Sequence, residues 1–197
     1  VLPEPYTVER ARIVVLEMAE NIALDLVGKH QVAGFVTLTI GYDVENMTRC
    51  DIRCRYNGRV SLDHYGRQVP YHSHGTSRFD TYTSSARIIG RHVADLFDRI
   101  ANDVLLIRRL TITAGDVRNE ASVVSVVADT PVQLSLFSED TVEEDVTVES
   151  LERERRLQET VLSIRNTFGK NALCKGLNFA DGATQRSRNK QIGGHKA

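Results

Sequence analysis

Three sets of residues have types and spacings that could do chemistry. Cys50 and Cys54 stand four apart, with His64, His72 and His74 downstream, thiols and imidazoles of the kind that hold zinc. Neither the second half of a finger pattern nor a tight His pair accompanies them, so surface thiols and strand histidines are the expected roles. A Cys–His nucleophile is weaker still, because no oxyanion-hole or orienting motif flanks either cysteine. No catalytic residue and no metal ligand is assigned, and no cofactor is expected in this stretch.

The second set is Gln133, Leu134, Ser135, Leu136 and Phe137, which follow Pro131 and precede an acidic run. Sealing a Leu or Phe side chain into a pocket is worth roughly 1.5–3 kcal/mol each, and part of that is lost in ordering a loose peptide. Three apolar anchors and a glutamine amide suffice for roughly micromolar affinity, so the segment reads as a docking peptide. The alternation of Val132, Leu134 and Leu136 also fits an ordinary edge strand. The third set is Arg108 and Arg109 with Thr37, Thr39, Thr111 and Thr113, groups that donate to phosphate oxygens. Half-buried strands favour Thr for its own sake, which leaves a purely structural reading of the threonines open.

Regular elements must position these groups. Residues 7–29 predict a helix: Thr7 can cap it, Glu9 favours its first turn, Ala11, Val15, Met18, Ile22 and Leu26 share a face, and Gly28 can end it. Phe35–Tyr42 alternates, with Val36, Leu38 and Ile40 inward and Thr37, Thr39 and Gly41 outward. The excursion 43–66 suggests a hairpin around Asn57-Gly58, and a second strand falls within Arg67–Thr76, interrupted or at an edge because Pro70 cannot donate to a ladder. Ser84 or Ser85 caps a helix to about Ala101 with Ile89, Val93, Leu96 and Ile100 as its stripe. Ile107–Ala114 is the last strand, with Leu110, Ile112 and Ala114 inward and Arg109, Thr111 and Thr113 outward. Arg108 has inward parity at the strand's start.

This order describes an α+β sandwich, two helices on one face of an antiparallel or mixed sheet, the other face open. A third helix, Leu151–Phe168, should bury Leu157, Val161, Ile164 and Phe168 and stop at Gly169. The tail from Lys170 reads as loosely ordered unless it lies on a partner.

The 197 residues carry a net charge of −1, 41% hydrophobic and 26% charged residues, which fits one main globular domain with an appendage. Charge is segregated: Ser138–Glu154 holds eight acidic residues against Arg153, whereas Arg165–Ala197 holds seven basic residues against Asp181. Three cysteines without a secretory signal argue for reduced thiols. With no signal peptide or membrane-spanning run, and beginning at Val1, the chain is expected to be a cytoplasmic piece of something longer.

Together these features resemble the C-terminal part of a Y-family, UmuC-like translesion DNA polymerase, its little-finger domain plus clamp-binding tail. The pentapeptide Gln133–Phe137 resembles the motif by which bacterial polymerases hang on the sliding clamp. Pro5-Tyr6-Thr7 before the first helix is similar to the start of the little finger's first helix, and Ile107-Arg108-Arg109-Leu110 to the start of its last strand. Asp181-Gly182-Ala183-Thr184 and Arg188–Ala197 look like the tails of UmuC-like proteins from Gram-positive bacteria. The resemblance implies a little-finger-like domain at 1–117, a linker with the clamp-binding peptide at 118–149, and a C-terminal helix and basic tail at 150–197. It also implies that most of the family's first strand precedes Val1.

In function, the resemblance implies a part in DNA repair, damage tolerance and the SOS response. Duplex DNA would be gripped through its phosphates by Arg108 and Arg109, with Thr37, Thr39, Thr111 and Thr113 following from strand parity. Some family members carry Arg where Thr113 stands. The other implied partners are the sliding clamp and an N-terminal catalytic domain, which would hold the Mg ions and do the polymerisation; no membrane is implied. The competing reading is a stand-alone clamp-binding adaptor with a ferredoxin-like core and no DNA face.

Overall fold

The computed structural model describes residues 1–123, 148–192 and 195–196, and the docking pentapeptide Gln133–Phe137 lies outside the described residues. Helix α1 (Val8–Gly28) leads into strand β1 (Gln31–Tyr42), the centre of an antiparallel sheet. Two short helices follow, α2 (Glu45–Thr48) and α3 (Cys50–Arg53), then a hairpin of β2 (Val60–Leu62) and β3 (Gln68–Pro70). The chain returns to the sheet as β4 (Ser73–Thr83), crosses it as α4 (Ala86–Ile100) and finishes on β5 (Ile107–Gly115). β6 (Arg118–Asn119) continues the β5 register on β1 after a break at Asp116, whose φ is +47°. The strand order is β4-β1-β5, with helices α1 and α4 on one face.

Alternation builds this core. Val36, Leu38 and Ile40 are fully buried, as are Ile89, Val93 and Phe97 from α4 and Ile107 from β5. Ser85 is the N-cap of α4 and accepts from Ile88 N at 3.2 Å. The N-terminal segment joins β5 through an isolated bridge, Tyr6 to Ile107, supported by Leu2 N donating to Arg108 O at 2.9 Å.

Several sequence expectations need correction. The hairpin does not turn at Asn57-Gly58: it turns over Asp63–Arg67, where the Asp63 carboxylate accepts from Tyr65 N and Arg67 N at 2.9 Å and Gly66 takes φ +76°. The sheet strand begins at Ser73 and runs to Thr83, beyond the expected 67–76 window. Gly28 closes α1 by position, but the left-handed residue is His30 (φ +53°), and a Cβ at Gly28 would make ordinary contact with Leu162 at 3.7 Å. Thr7 is the N-cap but makes no side-chain cap bond.

The C-terminal part departs further from the sequence reading. Helix α5 (Val148–Phe168) stops at Gly169, φ +95°, but its expected stripe is not the packed face. Leu157 and Phe168 are exposed and Val161 and Ile164 half-buried, while Gln158 is buried and donates to Ser84 O. α5 meets the domain largely through polar groups: Glu154 accepts from Ser85 Oγ and Arg87 N, and Arg155 bonds Ser84 and Glu120.

The tail is ordered against α1 through a 3-10 turn at Gly176–Phe179 and a short helix at Gln185–Arg188. Its pin is Glu17, a charged residue only 1% exposed in the middle of α1. That carboxylate accepts from Asn178 Nδ2, Thr184 N and Gln185 N, each at 2.9 Å, with Arg188 at 3.4 Å. A buried carboxylate survives only when so satisfied. Among the described residues no helix is long and apolar enough to cross a membrane.

Candidate nucleic-acid interface

The face of the sheet opposite the helices is laid out by strand register. Thr37 stands opposite Thr76 of β4 and Thr113 of β5, and Thr39 stands opposite His74 and Thr111. The next rows are Phe35 with Arg78 and Gly115, and Gly41 with Arg109. Period-two alternation puts all of these on one side once Val36, Leu38 and Ile40 are buried on the other. The four predicted threonines and Arg109 therefore share one surface, and none of the residues in these rows is acidic.

Local bonds tie neighbouring strands together across this polar face. Thr39 Oγ1 and His74 Nδ1 lie 3.0 Å apart, and Thr37 Oγ1 donates to Thr113 O at 3.4 Å. The Phe35 ring lies over Gly115, where a Cβ would meet it at 2.1 Å, so only glycine permits that ring position. The Arg78 guanidinium covers the same ring at 5.5 Å. Arg78 and Arg109 thus stand at opposite ends of the face, six residues of β1 apart, or roughly 20 Å along the strand.

Arg108 sits differently. The β1–β5 register shifts between Gly41 and Tyr42, which pair with Arg109 and Ile107, so Arg108 is the extra residue of a β-bulge. The bulge overrides simple parity and turns the Arg108 side chain toward the Asp43 carboxylate, 3.6 Å away. Arg108 and Arg109 then line one cleft of about 620 Å³ between the sheet's end and the β2–β3 hairpin, facing Arg67, His64 and His72. Among the described residues Arg109 has no carboxylate within ion-pairing distance, whereas Arg108 is partly neutralised.

Residue reasoning missed Phe35, His74, Thr76, Arg78 and Arg67 as members of this surface. For His74, Thr76 and Arg78 the signal was parity in β4, which becomes usable only when the strand is placed at 73–83, whereas Phe35 shares the parity of Thr37 and Thr39 in β1. Cys50 and Cys54 are exposed free thiols, and among the described residues no three or more His, Cys, Asp and Glu side chains are grouped to hold a metal ion.

What this surface offers is a ladder of hydroxyls, an imidazole and guanidinium groups. It can donate to phosphate oxygens along two strands of a backbone. Comparison with family profiles matches residues 1–136 to the impB/mucB/samB family C-terminal domain. No curated protein matches the chain.

Proposed function

Because the chain belongs to the impB/mucB/samB family, whose C-terminal domains are parts of UmuC-type translesion DNA polymerases, we propose that its open sheet face holds duplex DNA by the phosphates. The observation that carries this is the acid-free row arrangement: Thr37, Thr39, Thr111 and Thr113 interleaved with Thr76 and His74, ended by Arg78 and Arg109. Hydroxyls and guanidinium groups grip backbone without reading bases, which suits an enzyme that must follow DNA of any sequence. Arg108 joins by swinging from Asp43, or contributes through the shared cleft.

On this reading residues 1–117 grip the duplex behind a catalytic domain that precedes Val1 and carries the Mg-dependent polymerisation. Residues 118–149 carry Gln133–Phe137 as a tether to the sliding clamp, raising the enzyme's local concentration at the primer end. Residues 150–197 brace α1. The site of action is the cytoplasm, in tolerance of damaged DNA.

A salt series of blunt-duplex binding tests the proposal. Binding should weaken steeply with salt, and Arg108→Ala with Arg109→Ala should lower the log–log slope by about 0.9 per lost phosphate contact. Unchanged affinity and slope in the double variant would remove these residues from the interface. Salt-independent binding by the native chain would remove the phosphate grip altogether.

A further inference from the structure

The excursion 43–72 is absorbed neither by the sheet nor by the core. It is rooted at a few points: Ile52 is buried, and Asn46, with no exposure, donates to Asp43 O and Leu106 O and accepts from Leu106 N. Beyond that root most side chains are exposed, while Pro70 is buried and Tyr56, Ser61, Asp63 and Val69 are half-buried. Two of its arginines are neutralised locally, Arg49 by Asp51 at 2.8 Å and Arg67 by Asp63 at 2.7 Å. Arg53, Arg55 and Arg59 are exposed and have no carboxylate partner among the described residues.

Aromatic groups stand beside two of the arm's arginines, Arg67 and Arg59. Tyr65 at the hairpin turn is 79% exposed, with the Arg67 guanidinium 5.2 Å from its ring centre. Tyr71 stacks on His72 at 4.3 Å and is covered by the Arg59 guanidinium at 4.5 Å. Exposed rings beside guanidinium groups, Tyr71 under the unpaired Arg59 and Tyr65 beside the Asp63-paired Arg67, fit bases whose faces are free. In a duplex those faces are covered by neighbouring base pairs, whereas an unpaired strand exposes them. The hairpin adjoins the proposed duplex face through the cleft that holds Arg108 and Arg109.

We propose that this arm is a single-strand contact: it takes the unpaired DNA that continues from the duplex held on the open face, its arginines on the phosphates and Tyr65 on a base. The inference rests on the phosphate-grip reading for the position of the duplex, but the arm's own chemistry is separate from that face. Charge and ring exposure favour single-stranded nucleic acid over a protein partner, since Arg53, Arg55 and Arg59 would each need a carboxylate there.

The test uses the full 197-residue chain with three fluorescent probes: a blunt duplex, the same duplex with a twelve-nucleotide 5′ overhang, and a thymidine oligonucleotide of twelve. The native chain should bind the overhang probe at least tenfold more tightly than the blunt one. Changing Arg53, Arg55 and Arg59 together to Ala should erase that advantage, leave blunt-duplex affinity within about twofold, and cut the single-strand salt slope by about 2. Tyr65→Ala should do part of this and Tyr65→Phe none of it, because Phe keeps the stacking ring. Equal losses on blunt and overhang probes, or an overhang advantage that survives the triple change, would overturn the proposal. A native chain that fails on blunt duplex yet loses the thymidine oligonucleotide in the triple variant would sink the phosphate-grip reading alone. An unchanged melting temperature excludes unfolding of the arm's root.

Discussion

Replacing Glu17 with Ala should open the C-terminal clasp while leaving the sheet domain folded. The carboxylate collects two backbone amides, one side-chain amide and the Arg188 guanidinium inside a fully enclosed site. Bonds to a charged acceptor contribute about 1.5–3 kcal/mol each, but they share one acceptor and are not additive. Removing one partner of a buried ionic group typically costs about 3–5 kcal/mol. Burial pulls the Arg188 pKa down against the opposing pull of Glu17's charge, so the Ala variant would also remove the charge partner of a half-buried guanidinium, which keeps its bond to Gln185 Oε1 at 3.0 Å. A loss of about 4 kcal/mol shifts the opening equilibrium roughly a thousandfold. Glu17→Gln should be milder, about 2 kcal/mol or thirtyfold, since it keeps one acceptor oxygen. Its new NH2 group would oppose Asn178 Nδ2, and Asn178 cannot simply flip because its Oδ1 accepts from Lys175 N at 2.8 Å. Hydrogen exchange at the Thr184 and Gln185 amides reads the opening directly, beside a thermal melt of the sheet domain. Unchanged protection of those amides in the Ala variant would refute the reasoning, and so would a single cooperative loss of both parts.

Other expectations follow from the same structure. Gly75 lies under α4, where a Cβ would come within 2.7 Å of Leu96 Cδ1 and 3.2 Å of Ile100 Cγ2; Gly75→Val should cost about 2 kcal/mol and lower the melting temperature by about 5 °C, and a raised one would contradict the packing. The Asp63 carboxyl is held below its ordinary value of 3.8 by the Arg67 amide first and the Arg67 guanidinium second. A lowered carboxyl contributes stability above pH 3.8 that is lost as pH falls through the lower folded value. Amide exchange at Tyr65 and Arg67 should therefore rise only below about pH 4, and a rise beginning near pH 6 would exclude Asp63 as the cause. For the clamp tether, Leu136→Ala with Phe137→Ala should abolish clamp binding without moving the melting temperature; a destabilised variant would make the segment part of a folded sheet instead.

What could be read from the sequence depended on whether side chains advertised the layer they enter. β1 and β5 were legible because Val36, Leu38, Ile40 and Leu110 alternate with hydroxyls. β4 was not, since its core face carries Ser73, Gly75 and Ser77. Small groups are required there because α4 lies so close, and Ser77 Oγ further engages His92 Nδ1 at 2.8 Å. With no apolar period, His74, Thr76 and Arg78 could not be assigned to the open face. For Arg108 inward parity was no guide to the side chain, because a bulge has no reliable composition signal. For α5 the periodicity of Leu157, Val161, Ile164 and Phe168 is real, but Glu154, Arg155 and Gln158 decide its orientation through hydrogen bonds. Glu17 illustrates the same limit: within an apolar helix pattern a single Glu reads as solvated, and its partners lie about 160 residues away in sequence.

The clasp also bears on how the tether would work. Both ends of the segment that contains Gln133–Phe137 are fixed to the same body: Glu120 by Arg155, and Glu154 by Ser85 and Arg87. Nine residues lie between Val123 and Gln133 and ten between Phe137 and Val148, so neither end permits a reach beyond roughly 35–40 Å. A docked clamp would then be confined close to the little-finger body, with the effective concentration of a short linker. Freeing one end should relax that confinement. Arg155→Ala with Glu154→Ala would therefore leave the pentapeptide's own clamp affinity unchanged, yet weaken the gain when clamp and primer duplex are bound together. An undiminished gain would mean that the fixed ends do not govern the tether.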